Sequence, residues 1–147
     1  MQEKNKVYIS TLIVFWIIVT FFILMVAGMY LGMFLPFFPV LSLPSIAVIS
    51  LSGIALIVLA ARTKFTKISK AFFILTGSAA AGMGISIVLH NLIFALFIKL
   101  FGEGFWERIG IGDEPVLFIL ATIICPVALL VGAIGSIVFI ARKKVLS

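Results

Sequence analysis

From Val7 to Ala61 the chain carries no charged side chain. A soluble protein of 147 residues has no interior large enough to hide such a stretch, so its solvent has to be lipid. Composition agrees. Hydrophobic residues make up 64% of the chain and charged ones 11%, with a mean hydropathy of +1.39, too little polar surface to clothe a water-soluble globule. A net charge of +6 would point a soluble protein toward nucleic acid. Here the basic residues sit in short clusters at the ends of apolar runs, where they set topology, and nucleic acid is not implied.

About 20 helical residues cross about 30 Å of hydrocarbon, and the apolar runs divide on that scale. The first span covers about 7–35. It exceeds the length of a signal-peptide core and ends without a convincing small-x-small site, so we read it as an uncleaved helix. Tyr8 and Tyr30 fall near its ends, and Gly28 and Gly32 form a small-xxx-small pair suited to close helix contact.

Pro36, Pro39 and Pro44 then interrupt the helix, and the uncharged loop 36–44, with Phe37, Phe38, Leu41 and Leu43, belongs in the headgroup region or packed over another part of the protein. The second span runs over 45–61, with Ser50, Ser52 and Gly53 as its small face. The loop 62–70 is cationic. The third span covers 71–91 and the fourth 115–141. Between them lies the loop 92–114, whose segment Leu92 to Ile111 is too rich in Leu, Phe and Trp to be hydrated and reads as interfacial, with Lys99 and Arg108 snorkelling from it.

The expected fold is all-α: a polytopic membrane protein, a four-transmembrane-helix bundle running up-down-up-down, with an interfacial segment between helices 3 and 4. Residues 1–147 form a single membrane domain. Orientation follows from nine basic residues on the side of the termini (Lys4, Lys6, Arg62, Lys64, Lys67, Lys70, Arg142, Lys143, Lys144) against Lys99 and Arg108 on the other. The positive-inside rule places both termini and the 62–70 loop in the cytoplasm of a cell-membrane protein, with the loops 36–44 and 92–114 outside.

Ionisable groups within a span are the usual pointers to function in membrane proteins, because each is costly to place in lipid. The four spans contain only His90. That excludes carriers that work through a carboxylate buried at mid-membrane. His90 lies about 28 Å along the helix from Ala71, near the outer boundary. Ser78, Gly82, Ser86 and His90 recur every fourth residue and so form a slowly drifting stripe, read as the packed face of span three. Ala121, Cys125, Ala128, Gly132 and Ser136 form the matching stripe of span four. Lone Cys125 is a small apolar packing residue.

Antiparallel pairing of these spans brings His90 toward Asp113 and Glu114. Asp113 suits a helix cap and Pro115 the first helical position. The candidate outer-face polar site is His90, Asn91, Glu103, Glu107, Asp113 and Glu114, able to hold a divalent cation or to make a histidine that titrates near neutral pH. Pro126 should kink span four and free a carbonyl near Thr122.

No cofactor is named by any motif. The leading reading is a non-enzymatic membrane protein that works by helix association, as a homo-oligomer or as an accessory subunit of a membrane partner, with the lipid bilayer as its constant neighbour. The alternatives are a channel or carrier formed between protomers and lined by Ser50, Ser52, Ser78, Ser86, Thr122 and Ser136, and an outward-facing metal or enzyme site around His90.

Overall fold

A computed structural model describes residues 2–31, 39–112 and 114–145, and the side chains of 5–28, 44–112 and 114–142. Among these residues all regular structure is helical. The elements are α1 (Gln2–Leu31), α2 (Pro39–Arg62), α3 (Lys67–Phe101), α4 (Phe105–Arg108), α5 (Pro115–Ile119) and α6 (Cys125–Val145), with a wide π turn (Leu120–Ile124) joining the last two into one rod. Four helices are long and apolar enough to cross a membrane. The protein is an all-α four-helix membrane bundle.

The helices pack mainly with their neighbours in sequence: α1 on α2, α2 on α3, and α3 on α6. A smaller contact joins α1 to α3, where Phe15 meets Phe73 edge to face at 5.2 Å. Among the described residues the first and last helices make no substantial contact, so α6 is an edge held through α3.

Glycines set how closely α2 and α3 approach. A methyl group on Gly53 would stand 2.6 Å from both the Ala81 nitrogen and the Gly77 oxygen, and one on Gly77 would stand 2.8 Å from the Gly53 oxygen. The two backbones touch because neither residue has a Cβ, which is how helices associate where no hydrophobic effect drives them together. On the other flank of α3 a methyl on Gly132 would lie 2.6 Å from Thr76 Oγ1, and one on Gly135 would strike the Phe72 ring. Leu129, Ala133 and Ser136 of α6 are buried against the same flank.

At the end carrying the basic clusters, hereafter the basic end, Thr11 and Thr63 lie 2.9 Å apart, and each hydroxyl also reaches a carbonyl one turn back on its own chain, Val7 and Leu59. With one proton each, the two hydroxyls fill two of these three contacts at a time, and the Thr11–Thr63 contact joins α1 to the end of α2. Thr66 caps α3 by accepting from the Ser69 amide at 3.3 Å. Lys70 donates to the Ala61 carbonyl at 2.9 Å, a cation on the C-terminal carbonyls of α2.

Two boundaries differ most from the sequence expectation. Helix α2 begins at Pro39, so 39–44 is helix and not loop; a proline opening a helix sacrifices only an amide that would be unpaired there. The loop residues 36–38, Gly32 and Asp113 lie outside the described residues, as does the Tyr30 side chain. The larger difference is α3, which does not give out near residue 91 but runs unbroken to Phe101, about 52 Å at 1.5 Å per residue.

The distal tip of α3 is built on aromatic rings. Phe94, Phe97 and Phe101 recur at helical spacing on one face, and α4 folds back against them: Trp106 stacks on Phe94 (5.9 Å) and Phe105 on Phe101 (4.9 Å), with Phe97 against both Phe105 and Trp106. Reversal takes place at Gly102 and Gly104, whose φ values of 86° and 80° are ones that residues with a side chain rarely adopt. Arg108 completes the turn by donating to the Phe101 carbonyl at 2.6 Å.

A distal polar contact as candidate functional site

The chain enters α5 through Glu114, and the local chemistry is that of a helix start. Its Oε1 accepts from the Val116 amide at 3.0 Å and its Oε2 from the Leu117 amide at 2.9 Å, while Pro115 occupies the first turn. Two otherwise unpaired amides are satisfied by one carboxylate placed where the helix dipole favours negative charge. The observed cap is Glu114; Asp113, which the sequence also suited to a cap, lies outside the described residues. Glu114 is 8% exposed, so the protein itself has removed it from solvent.

Antiparallel packing of α3 and the final rod brings His90 to this cap. Its Nδ1 lies 3.1 Å from the Glu114 main-chain oxygen and 3.5 Å from Oε2. A carbonyl oxygen only accepts, so Nδ1 carries the proton and donates to it. The longer approach to Oε2 adds electrostatic attraction more than a second hydrogen bond. This contact fixes the ring's orientation and tautomer and ties α3 to the start of the fourth span. Phe118 covers one side of the imidazole, with ring centres 5.9 Å apart.

Asn91, Glu103 and Glu107 of the expected cluster are elsewhere, and Asp113 lies outside the described residues. Asn91 is exposed and donates to the Ile87 carbonyl at 2.8 Å, a bond within its own helix. Glu103 and Glu107 are exposed at the tip, beyond the point where α3 was expected to end, and among the described residues no ion pair joins either to His90. Nor do three His, Cys, Asp or Glu side chains come together anywhere among the described residues in a way that could hold a metal ion.

The small stripes divide too. Ser86 is buried one turn below His90, a methyl on Gly82 would stand 3.0 Å from Cys125 Sγ, and Gly132 and Ser136 are buried against α3. Ala128 and Gly28 are half-buried, and Ser78 is exposed. The α2-facing surface of α3 is carried instead by Gly77, Ala80, Ala81 and Gly84, a stripe one residue out of phase with the one read from sequence. From Thr76 to Ser86 nearly every residue of α3 is small, so several stripes fit the same pattern; only the packing partner selects among them.

The hydroxyls considered as a solute path do not share one surface. Ser50 Oγ is buried beside Gly84, between α2 and α3, whereas Ser136 is buried on the α6 side; among the described residues neither hydroxyl has a hydrogen-bond partner. Ser78 and Thr122 are exposed. Thr122 donates to the Phe118 carbonyl at 2.7 Å within the π turn. That turn is the fourth span's answer to Pro126: widening the coil before the proline lets the Cys125 amide reach the Leu120 carbonyl.

No known protein family, curated protein or solved structure matches the chain. Any functional reading therefore stands on the geometry.

Proposed function

We propose that this is a non-enzymatic integral membrane protein that works by helix association, as a homo-oligomer or as an accessory subunit of a membrane partner. The observation that supports the reading is the serial packing of the helices. Because α6 is held through α3, it leaves Val127, Leu130, Val131, Ile134 and Val138 exposed on its remaining surface. An end helix packed on one side only leaves its other, apolar face open to a second bundle. Both termini and the 62–70 loop are cytoplasmic in this reading, and the tip of α3 is on the other side of a cell membrane.

The test is association in the native bilayer. Crosslinking in membranes, followed by mass measurement in mild detergent, gives a discrete oligomer or a defined heteromeric complex. A protein that stays monomeric in detergent and yields no crosslinked product in membranes overturns the reading.

A second reading is favoured by the His90–Glu114 contact: a distal polar site narrower than the six residues of the sequence expectation. Its core is the oriented imidazole and the capping carboxylate. Solute flux in proteoliposomes that falls in His90→Ala supports it, and flux that is absent, or unchanged by the substitution, removes it.

A further inference from the structure

We propose that the distal leaflet of the bilayer reaches up α3 to Lys99, so that acyl chains cover the tip's outward face and the His90–Glu114 contact lies within the hydrocarbon, below the headgroups.

The outward face is continuous. Ile85, Leu89, Leu92, Leu96 and Leu100, spaced by three or four residues, are each 40% exposed or more, and they lie on one line along the helix. The first two belong to the part of α3 that packs within the bundle and so face lipid already; Leu92, Leu96 and Leu100 extend the same surface without a break. No charge interrupts the helix between Lys70 and Lys99.

Length agrees with this placement. Lys70 to Lys99 spans about 43 Å of helix, close to the full thickness of about 40–45 Å that includes both headgroup layers. The nine residues from His90 to Lys99 rise about 13 Å, more than the depth of one headgroup layer. With Lys70 among one set of headgroups and Lys99 among the other, His90 falls beneath the hydrocarbon boundary.

Charge placement points the same way. Lys99, Glu103, Glu107 and Arg108 are all exposed and all gathered at the tip. By contrast, the chain that links α1 to α2 contributes no charged residue, since none occurs from Val7 to Ala61, and Asp113 lies outside the described residues. Glu114 is itself shielded by the protein and bonded to two amides, so raising the leaflet around it removes little further water. Exposed Asn91 has its amide bonded to the Ile87 carbonyl, which suits a polar side chain in lipid.

Depth measurement decides it. Nitroxides are placed by Leu92→Cys, Leu96→Cys, Leu100→Cys and Glu103→Cys in a Cys125→Ser background, in phosphatidylcholine vesicles, and their collisions with oxygen and with a water-soluble nickel chelate are compared. We expect oxygen to dominate at 92 and 96, with the balance reversing between 100 and 103. Nickel access at 92 and 96 overturns the proposal. So does shielding from both reagents with spin–spin broadening, which would mean that a second copy covers the face.

Because Cys125 is buried, a second measurement keeps the native thiol. In Trp16→Phe protein, Trp106 fluorescence is read in phosphatidylcholines brominated at different depths. Loss of half the signal or more with bromines near the headgroup supports the proposal, and no quenching at any depth overturns it.

Discussion

Glu114 is the residue on which the distal end is built, because one carboxylate satisfies two amides of α5 while its main-chain oxygen receives the His90 proton. Glu114→Ala removes the cap and should cost about 1–2 kcal/mol, measured by unfolding in mixed detergent. His90→Phe keeps an aromatic ring but loses the bond to the carbonyl and the approach to Oε2, so a loss of about 1 kcal/mol is expected from the same measurement. The sequence marked this place correctly by residue type, since an acid before a proline at the start of an apolar run is a helix start. It did not distinguish Asp113 from Glu114, because an acid just before Pro115 at either position suits a helix start and sequence spacing alone does not choose between them.

At the scale of elements, the α2–α3 pair depends on the missing side chains of Gly53 and Gly77. A methyl at Gly53 meets backbone, which cannot swing aside as a flexible side chain can, so Gly53→Ala should destabilise by about 1–3 kcal/mol. Gly112→Ala is the control: nothing lies within 4 Å of the position and stability should be unchanged. The tip of α3 is a separate element. Trp106→Ala opens its aromatic cluster, and hydrogen exchange should rise over 94–111 while the spans keep their protection.

Helix number and order were legible in the sequence because uncharged runs of spanning length have few alternatives in lipid. The length of α3 was not. Its Phe and Leu residues after His90 are as compatible with an interfacial segment as with a helix, and the decision rests on α4 returning to cover Phe94 and Phe97, a contact made across the single Gly102–Gly104 turn. The phase of the small stripe was hidden for a similar reason. Helix α3 is flanked by α2 on one side and α6 on the other, so it has two packed faces, and a single four-residue period follows only one of them.

For the whole molecule, the basic clusters gather at one end: Arg62, Lys64, Lys67 and Lys70 lie beside the start of α1 and the end of α6. Cysteines introduced at Lys64 and Glu103 of a Cys125→Ser protein should therefore label from opposite sides of the membrane, Glu103→Cys from outside intact cells and Lys64→Cys only after permeabilisation. Serial packing leaves α1 and α6 as the two ends of the row, and α6 is the end proposed to meet a partner. Photocrosslinkers at Val127, Ile134 and Val138 on that edge, compared with Leu51 on α2, put this role of α6 to the test in native membranes. A discrete crosslinked species is expected from the α6 positions, weak or absent from Leu51; uncrosslinked monomer at all four positions would contradict it.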